Sequence, residues 1–525
     1  MKSEGSSAPV LVFGFDAGHP EDLVRWAKEG HLPSLAAVLA RGGWAHTAGP
    51  ELLSEHAVWV PLLNGISRGE LGYYYFRQLE PRSYNLRPMT GLDLKYAPLW
   101  ARLADPRRFA ILDVPDTLPT PGLGGIQLAN WAGHIGWKSD HPAYRVAAHP
   151  PEILADLTTR FGPSEVILES VDSTVDEDRE ILRRLLRRVE RKGSVTRHLL
   201  GGDRLDFSVV VFTEPHTAGH QFWKYRPEAP ETARKEAAPD LRHAIRDVCG
   251  AVDRELGLLL AQLPAETTVF VMSSVGIEDY YPTQGLTESF CRQLGYQAAP
   301  LPGPVSWKPL DVARRLLPTP VRVALSRMLL SRDRREGLLA EGFRRATDWA
   351  RTTAFAVPAF YAGQIRVNLR GREPAGTVSP GAEYDALLDR LEGDLRQLTL
   401  PDSGAPAVRS IHRPGRMFGR NPPEIFPDLW VEWAPSRRFV EMVRHPRAEL
   451  RQAPMEFMRD SDHCKVGFIA AAGPGIGARG AQPDVSVLDV APTLLRLLNV
   501  AVPPELTGRP LTTWLASSVQ ETAIS

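Results

Sequence analysis

Cysteine is scarce in this chain of 525 residues: Cys249, Cys291 and Cys464 stand far apart and form no CxxC pair. So small and scattered a set argues against a disulfide framework and against a thiolate zinc site, and it fits a reducing, cytoplasmic setting. Net charge is missing as well, since Lys+Arg and Asp+Glu both total 62. No long-range pull toward nucleic acid or anionic lipid is therefore expected. No apolar run approaches the ~18 residues needed to cross a bilayer, which points to a soluble chain without a membrane partner. The opening MKSEGSSAPVLVFGFDAGHP holds an apolar run of only about seven residues, too short for a signal-peptide core followed by a cleavage site. Internal repeats and low-complexity blocks are not evident.

What is present is an alternation of strands and helices. Val10–Phe15 is a continuous apolar run that ends in Asp16-Ala17-Gly18, the pattern of a buried parallel strand presenting a carboxylate at its end. Pro20 then opens a helix to about Glu29. Similar runs with polar endings recur at Phe109–Val114, at Phe207–Phe212 before Thr213-Glu214-Pro215-His216, and at Val269–Met272 before Ser273-Ser274. Helical periodicity covers Asp178–Lys192 and Pro239–Gln262. This order predicts an α/β fold, a mostly parallel central sheet flanked by helices on both faces. In such a sheet, ligands bind beyond the carboxyl ends of the strands, so Asp16, His216 and Ser274 are expected to meet in one crevice. The arginines of Asp178–Lys192 alternate with acids around an apolar stripe, and a solvated helix face explains them. A Pro-, Arg- and Leu-rich stretch, about 296–345, reads as an inserted helical or cap segment. Gln364–Leu369 reads as a further strand. The expected organisation is one domain over 8–515, with flexible tails at 1–7 and 516–525.

Several stretches, in order along nearly the whole chain, resemble the alkaline phosphatase superfamily in its type I phosphodiesterase/nucleotide pyrophosphatase branch. They are VFGFDAGHPEDLVRWAKEGHLPSLAAVLARGG, TEPHTAGHQFW, VFVMSSVG, DWARTTAFAVPAFYAGQIRVNLRGREPAG, IFPDLWVEW, DHCKVGFIAAAGPGIGARG and VSVLDVAPTLLRLLNVAVPPELTGRPL. The resemblance implies an alkaline phosphatase-like fold and a metal centre that, in the family, holds two ions. One ion takes an Asp, a His four residues on and a distant C-terminal His. The corresponding residues here are His216, His220 and His463, so a histidine stands for the aspartate. The other ion takes an N-terminal Asp, the nucleophile and an Asp-His pair. Asp16 matches the first, but the pair corresponds to Ser274-Val275, and valine cannot ligate. Counting back from Gly65 through Trp59 puts Glu55 at the nucleophile position; a one-residue slip puts Ser54 there.

Two adjacent divalent ions carry +4 and persist only where carboxylates offset their repulsion. With those carboxylates reduced, one metal ion is expected, held by His216, His220 and His463 with Asp16 and Glu55 as further ligands or neighbours. Three histidines suit Zn with an open water position; three histidines with Glu also suit Fe or Mn. The expected function is a metal-dependent, phosphodiesterase-like hydrolase acting on a small anionic ester, phosphate or sulfate. Its metal would lower the pKa of bound water to about 7 and supply hydroxide. Glu55 then serves as general base, ligand or both, Ser54 as the alternative nucleophile, and Asp16 as ligand or orienter. Two readings from other classes stay open: a mononuclear non-haem Fe/Mn oxidoreductase, and a pseudoenzyme that has lost turnover. Glu278 and Asp279, after the Ser274-Val275 pair, either rebuild a carboxylate ligand or, more simply, are solvated acids; Tyr75, Arg77 and Trp223 are packing residues, and Cys464 is a buried thiol. Gly473-Pro474-Gly475 is a turn, since no GxxxxGK[ST] accompanies it.

Overall fold

The computed structural model describes residues 8–53, 58–94, 97–103, 108–120, 122–134, 141–170, 172–202, 204–279, 284–300, 321, 330, 332–360, 362–418, 424–436, 439–453 and 460–521. Glu55 and Ser54 lie outside the described residues, as does most of the expected insertion; its described part includes the helix Arg332–Arg345.

The apolar runs become the centre of a large sheet. Val10–Phe15 pairs in parallel with Phe207–Phe212 on one side and Thr268–Ser273 on the other. Phe109–Leu112 and Ile126–Ala129 extend the sheet in parallel beyond Phe207–Phe212. Gly467–Ala472 is inserted antiparallel between Thr268–Ser273 and Gly43–Ala48, and Ala147–His149 closes the far edge antiparallel to Ile126–Ala129. Runs without alternation are what a sheet buried on both faces requires. Successive residues accordingly feed opposite cores. Val10, Val12, Val209 and Val211 join Trp59, Leu62 and Leu494 on one face, whereas Leu11, Phe13, Phe15 and Val210 join Leu23, Leu35, Val189 and Val252 on the other.

Several bounds shift from the sequence reading. The arginine-rich helix runs from Val175 to Leu200, because Thr174 and Glu177 form a capping box that starts it a turn earlier. The second long helix begins at Ala244, after a short 3-10 turn at Pro239–Leu241. The strand expected over Gln364–Leu369 is Gly363–Val367, and it belongs to a separate antiparallel sheet with Ala354–Val357, Leu429–Trp433 and Val408–His412 that the alternation of strands and helices did not predict. Within the stretch expected as a tail, Ser517–Glu521 is helical and Val519 packs against the core. Among the described residues, no helix is long and apolar enough to cross a membrane.

Candidate metal centre

The strand Phe207–Phe212 runs into the helix Glu214–Phe222, with Pro215 in its first turn, where a missing N–H costs nothing. His216 and His220, four residues apart, share one face of that helix. The third histidine comes from far along the chain, on a two-stranded antiparallel ribbon in which Ser461–Cys464 pairs with the distant strand Gly276–Asp279 and His463 lies opposite Ile277. This strand pair reaches the helix because residue 219 is glycine: a Cβ there would sit 2.2 Å from the Ile277 side chain. Behind the helix, Arg188 and Glu214 form a fully buried ion pair at 2.7 Å that ties its first turn to the long helix Val175–Leu200.

The three imidazoles converge. His463 Nε2 lies 2.9 Å from His216 Nε2 and 3.2 Å from His220 Nε2. A ligand nitrogen from each of the three lies within 4.8 Å of the others, and this is the one such group of His, Cys, Asp or Glu among the described residues. Ligands at the 2.0–2.1 Å typical of zinc, in tetrahedral arrangement, stand about 3.3 Å apart. The two close separations lie near that spacing, so the donor set fits a cation. The other ring nitrogens face outward to partners: His216 Nδ1 to Asp16 Oδ2 at 2.8 Å, His220 Nδ1 to Ser461 Oγ at 3.1 Å, and His463 Nδ1 toward Asp462 Oδ1 at 3.6 Å. Such outer contacts are what fix tautomer and ring direction in metal-binding histidines.

Asp16 sits beside this triangle, at the end of the first strand. Its Oδ2 meets His216, while its Oδ1 accepts the Trp59 indole N–H at 2.7 Å and the Ser274 hydroxyl at 2.8 Å. Trp59 can lie there because residue 14 is glycine; a Cβ would come within 2.6 Å of the indole ring. Burial by itself would raise the Asp16 carboxyl, but the His216 imidazole and the three hydrogen bonds outweigh it and hold it below the usual range. Of the pair standing for Asp-His, Ser274 donates to Asp16, and Val275 is buried in the apolar core.

The remaining candidates take structural places. Glu278 is held by a two-pronged ion pair with Arg409, both contacts at 2.9 Å, and Asp279 accepts from Arg226 and Trp223. Arg77 is buried against Glu336, and the Tyr75 hydroxyl accepts the Phe360 N–H. Burial pushes the Cys464 thiol up to about 12, so it is no thiolate at neutral pH.

Two residues near the site were not singled out from the sequence. His134, in the loop after Ile126–Ala129, stacks on His216 with ring centroids 3.8 Å apart and planes 14° apart. Asp116, in the turn after Phe109–Leu112, has a left-handed φ of 58°. Burial first and the Asp16 carboxylate second push its carboxyl up to about 6. Both follow core strands, the same signal that drew attention to Asp16 and His216.

A mostly parallel sheet with its polar groups gathered beyond the strands' carboxyl ends places the molecule among the ligand-binding open α/β proteins. Within that class the chain belongs to the type I phosphodiesterase/nucleotide pyrophosphatase family, whose model matches residues 10–451. Membership supports phosphate-ester hydrolysis as the reaction class. The chain is similar to murine ectonucleotide pyrophosphatase/phosphodiesterase 5, solved as an inactive variant in complex with AMP, at 12% identity over 97% of this chain and 100% of that one, with a TM-score of 0.46. The human counterpart aligns over the same shares at 10% identity with a TM-score of 0.45. Likeness at this level leaves the site to be read from this chain's own residues. No curated protein matches the chain.

Proposed function

We propose that this chain hydrolyses a small anionic ester, a phosphodiester or a related sulfate ester, at a centre holding one divalent ion, zinc first among the candidates. The observation that carries the reading is the meeting of His216, His220 and His463 through their Nε2 atoms, with the His216 and His220 rings hydrogen-bonded at Nδ1 to Asp16 and Ser461. When bound, such an ion polarises a phosphoryl oxygen and acidifies water, so a serine nucleophile is not required. Asp16, held ionised, takes the proton of His216 Nδ1 as a hydrogen bond and leaves the Nε2 lone pair facing the centre. Its role in this reading is to orient a ligand. Glu55, at the position the family resemblance gives the nucleophile, is the proposed general base or ligand; with a one-residue slip, Ser54 takes that position as nucleophile.

A second ion is disfavoured by the way Asp16 is used. A carboxylate oxygen offers about two lone-pair directions, and Oδ1 already receives an N–H and an O–H. A cation placed there would face two hydrogens, and the position that the resemblance matches to a ligating imidazole is held by Val275, buried in the apolar core.

Elemental analysis of purified protein, paired with hydrolysis of bis(4-nitrophenyl) phosphate before and after chelation, tests the reading. The expected result is one zinc per chain and activity that falls on chelation and returns with metal. Two ions per chain would overturn the single-ion centre. Iron with oxygen consumption would replace hydrolysis by oxidation, and a metal-free protein in which His216→Ala behaves as wild type would mean a pseudoenzyme.

A further inference from the structure

The His216 ring turns about its Cβ–Cγ bond, and the hydrogen bond from Nδ1 to Asp16 opposes that turn from one edge of the ring alone. That rotation would swing Nε2 out of the meeting point with His220 and His463. The face of the His216 ring is covered by His134, at 3.8 Å between centroids and 14° between planes, closer than the ~4.5–7 Å usual for aromatic pairs. His134 is itself held in place. Its Nδ1 bonds to the Thr217 hydroxyl at 3.1 Å, and Thr217 is the residue after His216 on the same helix. Its Nε2 faces Glu169 at 3.4 Å. The loop that brings it is fixed in turn. Asn130 takes a left-handed φ of 59°, which asparagine tolerates, and its side chain donates to the carbonyls of Ala143 and Arg145. The next two backbone N–H groups, of Trp131 and Ala132, both donate to the Asp113 carboxylate.

We propose that His134 is a positioning residue of the centre: its ring, delivered from a different strand, fixes the plane of His216 and thereby the direction of Nε2 toward the cation. The proposal rests on the metal-binding reading above and adds a fourth histidine that binds no metal. A ring that merely filled space beside His216 could be removed without changing how the centre takes up an ion.

Cobalt(II) supplies a probe that does not depend on turnover, because both its affinity and its visible absorption report the ligand geometry. Titrations of the full chain would compare wild type, His216→Ala, His134→Ala, His134→Asn and His134→Phe, each first checked metal-free for an unchanged Tm. Wild type is expected to bind and His216→Ala to fail; a wild type that takes up no cobalt would sink the metal centre itself. With wild-type binding established, the two ringless variants are expected to lose about tenfold in affinity, the scale of an outer partner's loss, and to shift the cobalt spectrum. His134→Phe, which restores a flat ring, is expected to stay close to wild type. The proposal is overturned if the ringless variants match wild type in affinity and spectrum. It is equally overturned if His134→Phe is as weak as His134→Asn, since the Thr217 and Glu169 contacts would then be what matters. His134→Asn and His134→Phe both keep side-chain bulk, so their comparison decides the matter even if the alanine variant folds poorly.

Discussion

On one side of Asp16 three imidazoles turn their Nε2 atoms toward a common point; on the other, an indole N–H and a serine hydroxyl point into the carboxylate. The first side gathers lone pairs and is suited to a cation. The second gathers hydrogens and is suited to an anion, which Asp16 already is. A buried carboxylate must be paired or hydrogen-bonded, and here neutral donors satisfy the oxygen that faces away from the histidines. The difference teaches that a buried carboxylate can face a cluster of lone pairs on one oxygen and be satisfied by neutral donors on the other, leaving no stranded charge.

That contrast can be broken most directly from the histidine side. His463→Ala removes the imidazole that touches both others and is expected to abolish metal uptake and lower kcat/KM on the order of 10³-fold, since the ion's chemistry goes with it; retained metal in elemental analysis would contradict it. Asp16→Asn, which keeps the shape but offers an amide to His216, is expected to weaken metal binding about 10- to 100-fold, read by chelator competition. On the donor side, Ser274→Ala deletes one bond to Asp16. It is expected to cost about 1.5–3 kcal/mol in urea unfolding of the metal-free chain while changing metal affinity less than Asp16→Asn does. An equal loss of metal would mean that the two sides are not distinct.

The smallest effect concerns Asp116. Its folded pKa of about 6 stands above the unfolded value near 4. The folded state therefore binds the extra proton, and stability contributed by the protonated form is present below about pH 4 and lost as pH rises through about 6. Asp116→Asn of the metal-free chain should accordingly be more stable than wild type above pH 6, by about 1–2 kcal/mol after allowance for partial exposure, with the gap closing toward pH 4. A gap that widened on acidification would reverse the sign and exclude the mechanism.

Much of the fold was legible because its signals are local. Val10–Phe15 and Phe207–Phe212 are unbroken apolar runs and form the neighbouring strands they suggest. The histidine triad was legible only through the family resemblance, since nothing in the spacing alone brings His463 to a helix that ends at Phe222. The small antiparallel sheet was missed because Val408–His412 is only half-buried and its partner Leu429–Trp433 comes later, past the short helix Pro414–Met417. His134 escaped for a different reason. A single histidine in the turn NWAGH has no periodicity, and its value lies in a face-to-face contact that no one-dimensional pattern encodes. The role of Ser274 was likewise hidden: the mismatch with an Asp-His pair was visible, but not that the hydroxyl would turn back onto Asp16.

The late strand that carries His463 bears on how the protein is made. His220 and His463 are separated by 243 residues, and at synthesis rates of ~5–20 residues per second the ribosome needs about 12 to 50 s to cover that distance. A nascent chain spends this interval with a histidine pair on the emerging helix and no third imidazole to complete it. Under the proposed metal-binding reading, ion capture is deferred until the returning strand has been translated, by which time most strands of the central sheet have already been made.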